Sequence, residues 1–338
     1  MKTWKKAGLT ALAGSLVATS AFAGAVTVSG TANLTYTRNT GAQDSGGGAA
    51  LSTGQDGNRW GLNQSLSFAG SGEMDNGWTV SVSQTLANGS STGIGKTVDM
   101  GDAGSLNYEA SSSARGVGKI KDMMPTADED AANGLDANGT TAGGGVSGTI
   151  AGGTTGFHYS KAMDMVEIGV GYAPSGGKTT ANGGTSGPGA SASNTGAFIK
   201  IDPMDGLEIG YGVGEKATVT AGDNSQTDDM DTIYATYVYG PLTVGFQRSN
   251  IDTYSTTADD TQTRWGILYA VNDEMSISYQ DHESDDSTNS ITEEATGVSM
   301  SYTVGSMTFK AHRNSGSNLG NAVTRESEHT ELGVTFAF

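Results

Sequence analysis

Along most of the chain, apolar side chains recur at every second position, with small or polar residues between them. Leu332, Val334, Phe336 and Phe338 alternate with Glu331, Gly333, Thr335 and Ala337. Leu242, Val244 and Phe246 alternate with Thr243, Gly245 and Gln247, and Met275, Ile277 and Tyr279 with Ser276, Ser278 and Gln280. Val298, Met300, Tyr302 and Val304 repeat the pattern, as do Trp78, Val80 and Val82 nearer the start. Side chains of a strand point alternately to opposite faces, so this period of two marks strands with one apolar face and one wet face. The helical period of 3.6 is almost missing.

Sixteen such segments are predicted, near 25–38, 58–70, 77–87, 94–101, 105–111, 146–160, 164–172, 194–201, 207–214, 231–239, 242–250, 262–270, 275–283, 292–303, 306–313 and 328–338. Their connections alternate in length. Short ones fall at 71–76, 102–104, 161–163, 202–206, 240–241, 271–274 and 304–305. Long ones fall at 39–57, 88–93, 112–145, 173–193, 215–230, 251–261, 284–291 and 314–327. Tight turns on one rim and long loops on the other are the layout of an outer-membrane barrel. Closure lets every backbone N–H and C=O pair within the protein, which is what hydrocarbon demands of strands. The predicted fold is all-β: a transmembrane antiparallel β-barrel of 16 strands, with short periplasmic turns and long extracellular loops. Tyr36, Trp60, Tyr172, Tyr211, Tyr237, Tyr239, Trp265, Tyr269, Tyr302, Phe336 and Phe338 lie near strand ends, where interfacial girdles belong. A two-sheet sandwich or a β-solenoid would alternate too, but needs a richer apolar parity for a dry core and does not force the alternation of connection lengths.

Composition narrows the choice. Only 35% of the 338 residues are hydrophobic and 52 are glycine, whereas a soluble domain carries ~45–50% apolar residues. Outside the first two dozen positions there is no run of 18 or more apolar residues, which excludes a helical membrane protein. The N-terminus reads as a secretory signal: Lys2, Lys5 and Lys6, an apolar stretch from Ala7 to Ala18, then Ala21-Phe22-Ala23. Cleavage after Ala23 divides the chain into a signal peptide, 1–23, and a barrel domain, 24–338. It leaves 15 basic against 36 acidic residues, a formal charge of −21. That acidity excludes nucleic acid as a partner, and the absence of cysteine excludes thiol catalysis and thiolate metal sites.

The first mature strand (Ala25 to Tyr36), the signal ending Ala-Phe-Ala, the terminal strand ending Val334-Thr-Phe-Ala-Phe338, and the hairpin from Lys96 to Tyr108 that runs into a long third loop carry a resemblance. With them the chain resembles a sixteen-stranded general diffusion porin of Gram-negative bacteria, of the alphaproteobacterial type. The resemblance implies a homotrimer in outer-membrane lipid and lipopolysaccharide, passive diffusion of small hydrophilic solutes, and Phe338 as the signal read by the barrel-assembly machinery. It also implies that the loop after the fifth strand folds into the lumen as a constriction.

That loop, 112–145, holds the densest mixture of charge and apolar residues in the chain. Ile120, Met123 and Met124 are expected to anchor it to the wall. Asp122, Asp128, Glu129 and Asp130 are expected to project into the channel beside Lys119 and Lys121. On the strands, Arg59, Arg264 and Lys310 fall on the polar parity next to Trp60, Trp265 and Phe309. A cation facing lipid at mid-depth costs ~2–4 kcal/mol, so these three should face the lumen or a rim. Glu109, Glu167, Glu208 and Asp99 share that parity. Acidic loop opposite basic wall would set a transverse field, and the scarcity of wall cations leans the pore toward cations. Asp228, Asp229, Asp231, Asp259, Asp260, Asp285, Asp286, Glu293 and Glu294 are read as outer-loop acids, without the spacing of an EF-hand.

Other chemistry is not visible. Gly143, Gly145 and Gly148 fit G-x-G-x-x-G but feed a strand, not a helix. His158, His282, His312 and His329 lie on different strands, none within four residues of another, so the spacing offers no zinc pair, and no cofactor or metal is expected. No nucleophile sits in a recognisable setting, and the chain is not expected to be an enzyme. The alternatives are a substrate-specific channel of the same fold, for phosphate, sugars or amino acids, and a structural or adhesive barrel.

Overall fold

The computed structural model describes residues 26–40, 57–110, 115–135, 156–174, 193–220, 223–254, 259–286, 291–319 and 326–338. These residues form sixteen strands. The first eight are β1 (Val26–Thr40), β2 (Gly57–Glu73), β3 (Thr79–Ala87), β4 (Ser90–Asp99), β5 (Ser105–Ala110), β6 (Gly156–Met163), β7 (Val166–Ala173) and β8 (Asn194–Met204). The second eight are β9 (Leu207–Thr220), β10 (Asp223–Tyr239), β11 (Leu242–Asp252), β12 (Asp260–Ala270), β13 (Met275–Asp286), β14 (Thr292–Val304), β15 (Met307–Ser317) and β16 (Ser327–Ala337). Each pairs antiparallel with its sequence neighbours, and β1 pairs with β16 to close the barrel.

The parity expected from the sequence sets the two faces. Trp60, Leu62, Phe246, Trp265, Val298 and Leu332 point outward and are exposed, with Trp60 at 73% and Leu62 at 77%. Bare apolar area on that scale is stable only against lipid or a partner. Aromatic pairs Tyr36–Trp60 and Trp265–Tyr279, each with ring centroids 5.2 Å apart, lie on this face. The opposite parity carries Gln247, Ser249, Gln262, Ser278, Gln280 and Ser299, all buried on the inner side.

At the seam, Gly30 and Phe338 exchange two backbone bonds of 2.8 and 3.0 Å. A Cβ on Gly30 would stand 2.6 Å from the Phe338 ring, so glycine makes the space in which that ring rests. The tight turns fall where expected at Gly240-Pro241 and Val271–Glu274.

Two boundaries differ from the sequence reading. The connection expected at 88–93 is the two-residue turn Asn88-Gly89, with φ of 49° and 82°. Paired positive φ values twist a hairpin in the sense the strands need, and Asn-Gly supplies them. The loop expected at 215–230 is mostly strand: β9 runs to Thr220 and β10 begins at Asp223. Asp228, Asp229, Asp231, Asp260, Asp285, Asp286, Glu293 and Glu294 accordingly lie in strands, not in loops. Above the lipid a strand has no reason to alternate apolar and polar, so its polar outer end reads as loop. For β6, predicted from 146, residues 146–155 lie outside the described residues.

Candidate functional site: a loop bound to the inner wall

Between β5 and β6 the chain leaves the rim and lies along the inside of the barrel. Its described part, Arg115–Leu135, begins with a 3-10 turn, Gly116–Ile120. Gly116 N–H donates to His158 Nδ1 on β6 at 3.2 Å. From there the segment passes successive strands to reach His329 on β16, where a Cβ on Gly134 would collide with the imidazole ring.

Two features of the wall allow this. Glycines of inward parity form a bed. A Cβ on Gly212 would lie 2.8 Å from Ile120 Cδ1, one on Gly245 2.5 Å from Pro125 Cδ, and one on Gly297 2.8 Å from Ala131 Cα. Long amides then satisfy the irregular backbone, which bonds little to itself. Gln247 accepts from Met123 N–H at 3.0 Å, and its Nε2 donates to the carbonyls of Ile120 and Lys121, both at 2.9 Å. Gln280 accepts from Ala131 N–H at 2.8 Å and donates to Pro125 O at 3.2 Å. Asn314 Nδ2 donates to Asp130 O and Asn133 O at 3.0 and 2.8 Å. Buried backbone polar groups need such partners, and here the wall provides them.

The expected apolar anchors are in place. Ile120 is fully buried in a cluster with Val117, Phe198, Met230, Tyr234 and Ile251, Met123 packs against it, and Met124 is buried. Val117 was not singled out in the sequence, because a lone valine in a glycine-rich stretch has no period. Phe198, which shares inward parity with Lys200, lies under the loop in this cluster and offers no aromatic track to a solute.

The charges are arranged differently from the expected transverse field. Asp128 and Asp130 point at the wall, not into the channel. Asp128 Oδ1 is 2.6 Å from Lys310 Nζ, and its Oδ2 is 3.0 Å from His312 Nδ1. Asp130 Oδ2 is 3.4 Å from Arg264 Nη1, which also lies 3.7 Å from Asp122 Oδ1. Lys310 and Arg264 thus bind the loop acids directly. The reason is geometric: the loop lies on the strands that carry these cations, so opposite charges meet at contact distance. Asp122, Glu129 and Lys119 are exposed, while Lys121 is half-buried. Glu129 accepts from Asn133 Nδ2 at 3.0 Å. From Arg115 to Leu135 there are three basic and four acidic residues, and Arg264 and Lys310 bring the local balance close to zero.

Burial raises the Asp128 carboxyl, but the hydrogen bonds from His312 and Lys310 and the charge of Lys310 outweigh it and hold the pKa below the ordinary 3.8. At Asp130 burial wins: with Asp122 alongside, it keeps the pKa above the ordinary value despite Arg264.

Strands β1 to β5 make a different wall. Thr31 Oγ1 meets Ser65 Oγ at 2.9 Å, Ser67 Oγ meets Thr85 Oγ1 at 3.0 Å, and Thr97 Oγ1 donates to Asn107 Oδ1 at 2.6 Å. Arg59, opposite Thr37 in the β1–β2 ladder, is exposed on this wall. Glu109 is paired through its backbone to Gly95 and Gly156, and its side chain lies outside the described residues. Glu167 forms an ion pair of 3.3 Å with Lys200, and Tyr234 donates to Glu208 at 2.8 Å.

A family model described as Gram-negative porin matches residues 8–338. Among solved structures, a porin refined at 1.8 Å resolution aligns with a TM-score of 0.66 and 13% identity, over 93% of this chain and 100% of that one. An anion-selective porin from Comamonas acidovorans aligns with a TM-score of 0.61, and a mutant porin of Rh. blastica with 0.60, both at 13% identity over 93% of this chain and 100% of theirs. No curated protein sequence matches the chain significantly.

Proposed function

The chain belongs to the Gram-negative porin family, and from that premise we propose that it is a weakly cation-preferring channel for passive diffusion of small hydrophilic solutes and ions. It is an outer-membrane porin, not an enzyme. The observation that carries the finer reading is the division of the inner surface. One wall is covered by a loop whose charges are nearly balanced, and the other, β1 to β5, presents mostly hydroxyls and amides, with the exposed Arg59 among them. Among the described residues such a lumen has no ladder of cations for phosphate and no aromatic track for sugars. The exposed Asp122 and Glu129 are offset by Lys119 and Arg59, so the lean toward cations rests on the mature chain's formal charge of −21, and it is weak because fixed charge beyond a Debye length of ~8 Å at physiological salt contributes little.

Export through cleavage after Ala23, recognition of Phe338 by the barrel-assembly machinery, and assembly into a homotrimer in lipid and lipopolysaccharide complete the proposal. The exposed Trp60 and Leu62 on β2 support a partner-covered face. The test is the reversal potential of the mature protein in a planar bilayer under a KCl gradient, before and after deletion of 119–130. A conductance that leans to cations and grows on deletion supports the reading. A small conductance blocked by one solute class would replace it with a specific channel, and none at all from folded protein with a structural barrel.

A further inference from the structure

Strands β15 and β16 bring three side chains with metal-binding atoms onto one inward patch. His312 and Glu331 are direct partners in the ladder, and His329 lies two residues before Glu331 on the same face. The ligand atoms of the three lie within 4.8 Å of one another, and the two imidazole centroids are 5.1 Å apart. His329 Nε2 is 3.8 Å from Glu331 Oε2.

The outer nitrogen of each ring is already committed. His312 Nδ1 is 3.0 Å from Asp128 Oδ2, and His329 Nδ1 is 2.5 Å from Asn39 Oδ1. Both partners are acceptors, so each ring places a proton on Nδ1, which in the neutral imidazole leaves the lone pair on Nε2. Those two Nε2 atoms are buried without a hydrogen-bond partner, in residues 3% and 5% exposed. Leaving such an atom unanswered costs ~1–3 kcal/mol. Imidazoles oriented through Nδ1 with Nε2 free are the usual state of histidines that ligate metal.

We propose that His312 Nε2, His329 Nε2 and the Glu331 carboxylate hold one divalent transition-metal ion of the zinc type, on the inner wall beside the lumen loop. Two imidazoles and a carboxylate suit zinc, and they suit calcium or magnesium poorly, since those want oxygen alone. Bonds of ~2.0–2.2 Å put tetrahedral donors ~3.3 Å apart, so the widest pair would close by at most ~1.5 Å through side-chain rotation. Charge favours the ion. Lys310, the nearby cation, is neutralised by Asp128 at 2.6 Å, which leaves Glu331 as the uncompensated charge among the three. Gly134 closes over the His329 ring, and the Glu331 side chain, 26% exposed, gives access from the lumen. The bound ion would clamp β15 to β16 and, through Asp128, to the loop. This site stands on local geometry and does not depend on which ions the channel prefers.

The test is calorimetric titration of ZnCl2 into the folded, detergent-solubilised protein, with CaCl2 as the comparison. One zinc per chain is expected, and no calcium heat. His329→Gln and Glu331→Gln should each weaken zinc binding by about 10-fold or more, and His312→Gln with His329→Gln should abolish it. Asp285→Asn, on the outer end of β13, should leave it unchanged. Co2+ added to the unaltered protein should give the strong visible absorption of a tetrahedral site, a readout that needs no variant to fold. Absence of zinc binding to folded protein, equal binding of calcium, or zinc binding that survives both histidine substitutions would each overturn the site.

Discussion

On β1 to β5 inward hydroxyls bond to one another across neighbouring strands; on β11, β13 and β15 inward amides bond to a loop. Thr31–Ser65, Ser67–Thr85 and Thr97–Asn107 are short side chains paired across neighbouring strands. Gln247, Gln280 and Asn314 are longer, and they reach past the wall to the backbone of 120–133. Both regions read as the polar parity of a half-wet strand. The difference is the placement of glycine and, at Gln247, Gln280 and Asn314, side-chain length; the short Ser278 and Ser299 also reach the loop, accepting from Ala127 and Asp128 N–H at 2.9 and 3.1 Å. A hydroxyl ladder is complete in itself and leaves its second valence to water. An amide above a glycine needs something to hold, and the loop is what it holds.

Substitutions can break this contrast in order of expected size. Arg264→Met removes the cation from Asp130 and Asp122. Breaking a buried pair from one side costs ~3–5 kcal/mol, so the thermal transition in detergent should fall sharply, and Asp130→Asn in the same chain should restore part of the loss. Gly212→Leu inserts a side chain where Ile120 already packs, an overpacking of ~1–3 kcal/mol. It should lift the loop and change single-channel conductance, whereas Ser81→Leu on the bare wall should leave the transition in place.

Acid should separate the two buried aspartates. The Asp130 pKa is raised, so it takes up a proton above 3.8 as pH falls and surrenders its pairing with Arg264 first. The Asp128 pKa is lowered, so its contribution is fully present above 3.8 and is lost only as pH falls through its lower folded value. Conductance against pH should show two steps in that order, and Asp128→Asn should delete the more acidic one. Arg59→Ala should have the smallest effect: stability within ~0.5 kcal/mol and a slight shift of the reversal potential toward cations. A large stability loss there would mean that the bare wall is bound to something.

The barrel was legible because lipid imposes its period on every strand. Leu332, Val334 and Phe336 face outward as their alternation requires, and turns such as Gly240-Pro241 fall between periodic runs. Where lipid stops, legibility stops. The outer ends of β9 and β10 carry Glu215, Asp229 and Asp231 on the outward parity and look like loop. Asn88-Gly89 is itself a turn signal, but it sits on the rim where the alternation of connection lengths predicts a long connection.

In the lumen, residue type and parity identified Arg264, Lys310, Asp128 and Asp130 as groups that interact, but not that they touch. Sequence gives the face of a strand; it does not give the height at which a non-periodic segment lies above it. The histidines show the same limit. A test for two imidazoles four residues apart is a test for a helix, and His312 and His329 meet across a strand pair instead.

The glycine bed has a consequence for how such a channel can change. At Gly212, Gly245 and Gly297 any larger residue displaces the loop, so these positions have little freedom to vary. The hydroxyls of β2 to β4 support none of the described residues above them. Mutational drift can therefore retune what passes through the pore from one side alone, swapping threonine for lysine or serine for aspartate, while the segment that narrows it stays where it is.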